Sequence, residues 1–195
     1  MQLLLKECKE HLFIDFHGKA PKSVTPDMWE ALVLRECDDG FGFVLKGEVN
    51  EIGYKSMTTP MTLKAFDHAL YKYGTMPLEK VLQPAIEYCF HGFQVRPAVH
   101  RFWLQPAQAG RIERVAVVKK FKATRDIYFK DGRLFNVGEN LKNPDMGRLY
   151  QKISREGVDV FYEGDVAEII ASDMKANGGL ITKADLADCE PTITD

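Results

Sequence analysis

Five histidines and four cysteines are the side chains of this 195-residue sequence best able to hold a metal or attack a carbonyl. Neither set is spaced for that work. His11, His17, His68, His91 and His100 include no HExxH pair, and Cys8, Cys37, Cys89 and Cys189 form no CxxC pair or Cys/His cluster of the kind that closes a zinc site. Phosphate-cradling loops of the GxGxxG and GxxxxGK[ST] types are absent, as is a GxSxG nucleophile elbow. Neither a metal nor an organic cofactor is therefore expected. The threonines fall in helix caps and loops, so no residue stands out as catalytic.

Charge is the other pattern that carries chemistry. Residues 111–133 hold eight basic and three acidic side chains, with Phe121, Tyr128 and Phe129 among them. Basic residues beside aromatic rings can take single-stranded nucleic acid. The chain as a whole carries a formal charge of −2, without the basic excess of such a domain, and the aromatics also suit a hairpin core. A nucleic-acid partner is not expected. Residues 156–195 hold ten acidic and two basic side chains. The two stretches attract each other, face different partners, or form ordinary solvated surface, the last being the common case.

These side chains must be placed by a core, and the composition supplies one. Hydrophobic residues are 45% and charged residues 28% of the chain, enough for folding without disulfides or metals. No apolar run reaches membrane-spanning length, and Met1–Glu7 has only three leucines before charges begin, too few for a signal peptide.

Leu3–Leu5 and Leu12–Phe16 read as two strands of a hairpin buried on both faces, with the polar stretch Lys6–His11 between them. Thr25-Pro26 reads as a helix start, and residues 38–56 as Gly-rich loop with a short strand pair. Apolar residues at three- and four-residue spacing predict helices over 61–73, opened by Thr59-Pro60, and over 77–90. The short link Gly74–Met76 suggests that these two pack antiparallel. A helix from Pro97 past Trp103 follows. Val115–Val118 fits either strand or helix, and Asp131-Gly132 predicts a hairpin. Helices are predicted over about 144–155 and 165–177, and Thr182–Asp185 forms a capping-box variant for a short last helix. Pro191–Asp195 reads as the start of a strand, which suggests that the chain is a piece of something longer.

Five blocks in order resemble the gamma-glutamyltransferase family. Phe13–Pro21 is similar to the family's IDFRExAP strand. Lys72–Leu78, Gln83–Ile86 and Gly92-Phe93 are similar to its KYGTMPL…QPAI…GF helix pair. Leu141–Met146, Gly157–Ala167 and Asn177–Ala187 resemble its L.QPDLA, G.DAFY.G.IA and NGGLIT..DLA segments. The resemblance covers nearly the whole chain. It implies an incomplete domain over residues 1–195: a helix-rich α+β portion, from the large subunit, of an N-terminal-nucleophile αββα sandwich.

It also implies a gamma-glutamyltransferase or glutathione hydrolase, in which a threonine at the start of the small subunit attacks the gamma-glutamyl amide with its own amine as base. That threonine has no counterpart in this sequence, so the chain alone is expected to be inactive. The implied partners are the small subunit of the same precursor and a gamma-glutamyl substrate such as glutathione. The family suggests a periplasmic, secreted or cell-surface location. The family's motif arginine grips the substrate α-carboxylate, as a bidentate guanidinium suits. Here that position is His17, and the neighbouring motif glutamate is Gly18. Lys19, two residues along the strand from His17 and so on the same face, can supply the missing charge. His17 and Lys19 are therefore the candidate substrate-binding residues. A divergent acylase of the same superfamily, or a non-catalytic truncated relative acting as scaffold, remains open beside the transferase reading.

Overall fold

The structure, a computed structural model, describes residues 1–5 and 10–194. Cys8 and most of the polar link expected between the first two strands lie outside the described residues. In chain order the elements begin with strands β1 (Gln2–Leu5) and β2 (Glu10–Asp15), a 3-10 turn Glu30–Leu32, and strands β3 (Val33–Glu36) and β4 (Phe43–Leu45). Helices α1 (Thr62–Tyr73) and α2 (Leu78–His91), strand β5 (Phe93–Gln94) and helices α3 (Pro97–Trp103), α4 (Arg114–Lys120) and α5 (Lys122–Tyr128) follow. Strands β6 (Phe129–Lys130), β7 (Arg133–Leu134) and β8 (Asn140–Leu141) lead to helices α6 (Pro144–Glu156), α7 (Asp159–Tyr162), α8 (Asp165–Ala176) and α9 (Lys183–Ala187), and to strand β9 (Thr192–Thr194).

These elements form two compact units. The first gathers residues 1–25, 53–82 and 152–195, and the second residues 26–52 and 83–151. The chain crosses between them inside α2 next to Pro84, where the helix lacks one backbone donor.

In the first unit β2 is the centre of a three-stranded antiparallel sheet ordered β1-β2-β9. Leu12 and Ile14 are buried at 7% and 0% exposure, whereas Leu4 and Phe13 are 74% and 42% exposed. The strands are therefore covered on one face only, with the period-two alternation of a half-buried sheet. The expectation of burial on both faces does not hold within this chain. The same unit buries Met61, Ala65, Ile153, Tyr162, Ala167 and Leu186. Of α2 only the first turn belongs to this unit. The Tyr162 hydroxyl accepts a hydrogen bond from the Lys64 backbone N–H at 3.2 Å, and the Lys64 ammonium pairs with Asp159 at 3.0 Å.

The second unit has a core of Cys37, Leu45, Ile86, Val95, Leu134 and Leu141. Val115–Val118 is helical, within α4. The Asp131-Gly132 hairpin forms as predicted, with both residues at positive φ, 52° and 77°. Those are the angles a two-residue turn between twisted strands requires. The helix expected after Thr25-Pro26 does not form. Strand pairing of Val33–Glu36 with Phe43–Leu45 takes the residues it would need, and one 3-10 turn remains.

Candidate functional site

The candidate site lies where β2 ends. A cavity of about 320 Å³ is lined by Phe13–Gly18 together with Met1 and Thr62. Phe16 anchors the turn, its ring 6.0 Å from that of Phe66 on α1. His17 then folds back. Its Nδ1 lies 2.9 Å from Asp15 Oδ1, and its backbone N–H donates to the same oxygen at 3.1 Å. Those two hydrogen bonds, the backbone one first, hold the Asp15 carboxyl below its ordinary pKa. An ionised carboxylate only accepts, so the bridging proton sits on Nδ1 and Nε2 is left for a ligand. The imidazole is 96% exposed and lines the cavity.

Gly18 is held against a neighbouring segment. A Cβ there would lie 2.8 Å from Thr58 Cβ and 2.9 Å from the Thr59 carbonyl oxygen, and closer still to the Thr58 hydroxyl. Thr58 thus fills the space in which a longer side chain would start. Thr59 is buried at 2% exposure and donates its backbone N–H to the Lys19 carbonyl at 2.9 Å. This bridge replaces the helix-capping role expected of Thr59; α1 starts at Thr62 without a side-chain cap.

His17 and Lys19 are two residues apart in the chain, yet they are held differently. Lys19 Nζ donates to the Glu190 carbonyl at 3.4 Å and does not line the cavity with His17. Two further residues matter to this place and escaped sequence reasoning. Asp15, the partner of His17, carries the signal of an acidic side chain two residues away on the same strand face. Thr62 comes from α1 and reaches the cavity only through folding. Among the described residues no hydrogen bond joins the Thr62 hydroxyl to the imidazole, so no nucleophile–base pair is assembled here.

The segment after Lys19 is tied to the C-terminal helices. The Lys22 backbone N–H donates to Asp185 Oδ1 at 2.8 Å, and the Lys22 ammonium pairs with Asp188. Asp185 is 6% exposed and also accepts from the Thr182 N–H at 2.8 Å and the Thr182 hydroxyl at 2.6 Å, completing the expected capping box.

Both charged stretches find counter-ions within their own units. In the second unit Arg111 pairs with Asp39 at 2.7 Å, Lys122 with Asp126 at 2.5 Å and Arg133 with Glu139 at 2.7 Å. In the first unit Lys152 pairs with Asp165 at 3.0 Å, and Lys183 with Glu168. Among the described residues no group of three or more His, Cys, Asp or Glu side chains can hold a metal, and no helix is long and apolar enough to cross a membrane. Cys37, Cys89 and Cys189 are free thiols.

The model of the gamma-glutamyltranspeptidase family matches residues 1–195. This chain belongs to that family. Among curated gamma-glutamyltranspeptidase relatives, the glutathione hydrolase proenzyme of Escherichia coli (strain K12) is 35% identical over 180 residues, 89% of this chain and 27% of that protein. Acylase ACY 1 proenzyme of Pseudomonas sp. (strain SE83) is 32% identical over 177 residues, 91% of this chain and 30% of that protein. The chain therefore spans less than a third of these relatives. Of solved structures, the gamma-glutamyltranspeptidase of Helicobacter pylori superposes with a TM-score of 0.81 at 27% identity, over 100% of this chain and 51% of that one. The cephalosporin acylase of Bacillus halodurans shares the fold, with a TM-score of 0.76 at 24% identity over 95% of this chain and 32% of that one. The helix-rich α+β structure with small sheets is accordingly a partial N-terminal-nucleophile hydrolase fold, as the sequence led one to expect.

Proposed function

We propose that this chain is the large-subunit framework of a gamma-glutamyltransferase or glutathione hydrolase and contributes one wall of its acyl-donor site. The observation that carries the reading is the family match over every residue, together with the 35% identity to a glutathione hydrolase. In this reading residues 1–195 are an incomplete domain. The exposed sheet face with Leu4 and Phe13 receives the small subunit of the same precursor. The nucleophile is a threonine of that small subunit, whose amine takes the hydroxyl proton as the oxygen attacks the gamma-glutamyl carbonyl. The amide nitrogen leaves as an amine, and water or an acceptor amine then takes the acyl group.

His17 takes the donor α-carboxylate in place of the family's arginine, and Lys19 joins it on releasing the Glu190 carbonyl to which its ammonium is bonded in this structure. The exposed Nε2 of His17, with Nδ1 held by Asp15, is what supports this role. One hydrogen bond to a charged ligand group is worth about 1.5–3 kcal/mol, or about ten- to a hundredfold in binding. The test uses the complete precursor and a gamma-glutamyl anilide. His17→Ala is expected to raise KM by about tenfold or more with kcat little changed, and His17→Arg to restore it. An unchanged KM in both His17→Ala and Lys19→Ala would remove both residues from the site. Residues 1–195 alone are expected to release no glutamate from glutathione.

The replacement of the motif arginine by His17, and the 32% identity to an acylase, favour a second reading as a divergent amidase for another acyl donor. Faster turnover of a non-glutamyl acyl amide than of the gamma-glutamyl anilide by the complete protein decides for it.

A further inference from the structure

Asp15 fixes more than the direction of the His17 ring. Its Oδ1 takes both the His17 backbone N–H at 3.1 Å and Nδ1 at 2.9 Å. Those two bonds hold the carboxyl below its ordinary pKa, so it stays ionised wherever a histidine titrates. An ionised carboxylate has no proton to give. A neutral imidazole beside it must therefore carry its single proton on Nδ1, and Nε2 is left with a lone pair. That lone pair accepts hydrogen bonds and repels a ligand carboxylate. Only the imidazolium puts an N–H on Nε2.

The surroundings leave this pairing in charge. Among the described residues the other charged group lining the cavity is the Met1 ammonium, which donates to the Ile14 carbonyl at 2.7 Å. Helix α1 brings Thr62 to the lining and Phe66 against Phe16, neither of them charged. Strand β9 sets the uncharged Thr192 opposite Asp15. The Lys19 ammonium is turned to the Glu190 carbonyl.

We propose that Asp15 is a positioning residue that makes carboxylate recognition by His17 conditional on a charged ring, so that the site takes carboxylate-bearing acyl donors at acid pH and discriminates against them as pH rises. The inference rests on the carboxylate-binding role proposed above for His17. With the ring neutral, the Nε2 lone pair suits a donor that presents an N–H or O–H at that place, such as an α-carboxamide. An arginine stays charged throughout and draws no such distinction.

The test measures KM for a gamma-glutamyl anilide from about pH 5 to about pH 8, the span in which histidines change charge, in the complete precursor and in its His17→Arg variant. The ratio of the two cancels the ionisation they share, that of the substrate amine and of the nucleophile. The ratio of wild type to His17→Arg is expected to rise about tenfold or more over that span, the worth of one hydrogen bond to a charged group. In Asp15→Asn the rise should shrink to about threefold or less. There the carboxamide can donate to Nδ1, the neutral ring keeps its proton on Nε2, and a neutral donor is about half as strong as a charged one. Nitrogen-15 NMR of the 195-residue chain should find neutral His17 protonated on Nδ1, and on Nε2 in Asp15→Asn. Neither readout would move if Asp15 merely shaped the turn, since asparagine keeps an oxygen for the His17 backbone N–H. A flat ratio, in an enzyme whose KM is still raised by His17→Ala at about pH 5, overturns this inference and leaves the carboxylate reading standing. A KM unmoved by His17→Ala at that pH removes both. A neutral ring protonated on Nε2 in the unmutated chain, or an equal rise with and without Asp15→Asn, takes the role from Asp15.

Discussion

Replacement of Asp185 should damage the first unit more than any change at the neighbouring surface acids. This carboxylate joins two parts of the chain 163 residues apart, since Oδ1 accepts the Lys22 N–H while Oδ2 accepts the N–H and hydroxyl of Thr182. Burial by itself would raise its pKa. The hydrogen bonds from Thr182 and from the Lys22 N–H outweigh burial and leave it below the ordinary value. Asp185→Ala removes three part-buried hydrogen bonds to a charged acceptor, at about 1 kcal/mol each, so a loss of about 3 kcal/mol is expected. For a chain of this size that corresponds to about 6–12 °C in Tm. Thermal unfolding followed by circular dichroism measures it, with Asp188→Ala as control. Asp188 is exposed and among the described residues its carboxylate pairs with the Lys22 ammonium alone, so its loss should cost under about 0.5 kcal/mol. The lowered folded pKa sets the sign with pH. The stabilisation is complete above the unfolded aspartate value of about 3.9 and fades as pH falls through the lowered folded value. The gap between wild type and Asp185→Ala should therefore narrow below that pH. Equal Tm shifts for Asp185→Ala and Asp188→Ala would refute the reasoning.

Three other outcomes follow from single contacts. Restoring the family glutamate by Gly18→Glu should cost about 2 kcal/mol or more in urea unfolding, because the new Cβ meets Thr58 and the Thr59 carbonyl, while the exposed His17→Arg change should cost under about 0.5 kcal/mol; equal midpoints would show that Thr58 yields. Glu139 is held at about 2 by the Arg133 guanidinium and the Asn136 N–H. Its contribution to stability is present above the ordinary glutamate pKa and is lost as pH falls toward 2, and Arg133→Gln should move its NMR titration back toward the ordinary value. Burial pushes the Cys89 and Cys189 thiols up, so a disulfide reagent should label Cys189 only after unfolding and Cys89 slowly before it; rapid native labelling of Cys189 would contradict its 2% exposure.

The parts of the fold readable beforehand are those with a local cause. Pro144–Glu156 begins where Asn143 Oδ1 accepts the Met146 N–H at 3.1 Å, and a side chain three residues upstream is visible in any sequence. The Thr182–Asp185 capping box and the Asp131-Gly132 turn are of the same kind. Thr25-Pro26 and Thr59-Pro60 carry equally good local signals; the first gave way to the hairpin of Val33–Glu36 with Phe43–Leu45, whereas at the second the helix formed from Thr62 and only the cap was lost, because Thr59 pairs with Lys19. At the candidate site His17 stood out through its motif, whereas Thr62 did not. Nothing in the spacing of residues 17 and 62 says that a helix start will face a strand end.

By itself the sequence determined the family, most of the helices and the position of His17, because motif residues, caps and turn glycines act within a few residues of one another. Tertiary structure decided that β9 joins β2 across almost the whole chain, that Asp15 holds the His17 imidazole, and that Asp185 clasps the Lys22 amide. The physical reason is that burial and hydrogen bonding between distant segments depend on which surfaces meet, and only the packed chain brings those surfaces together.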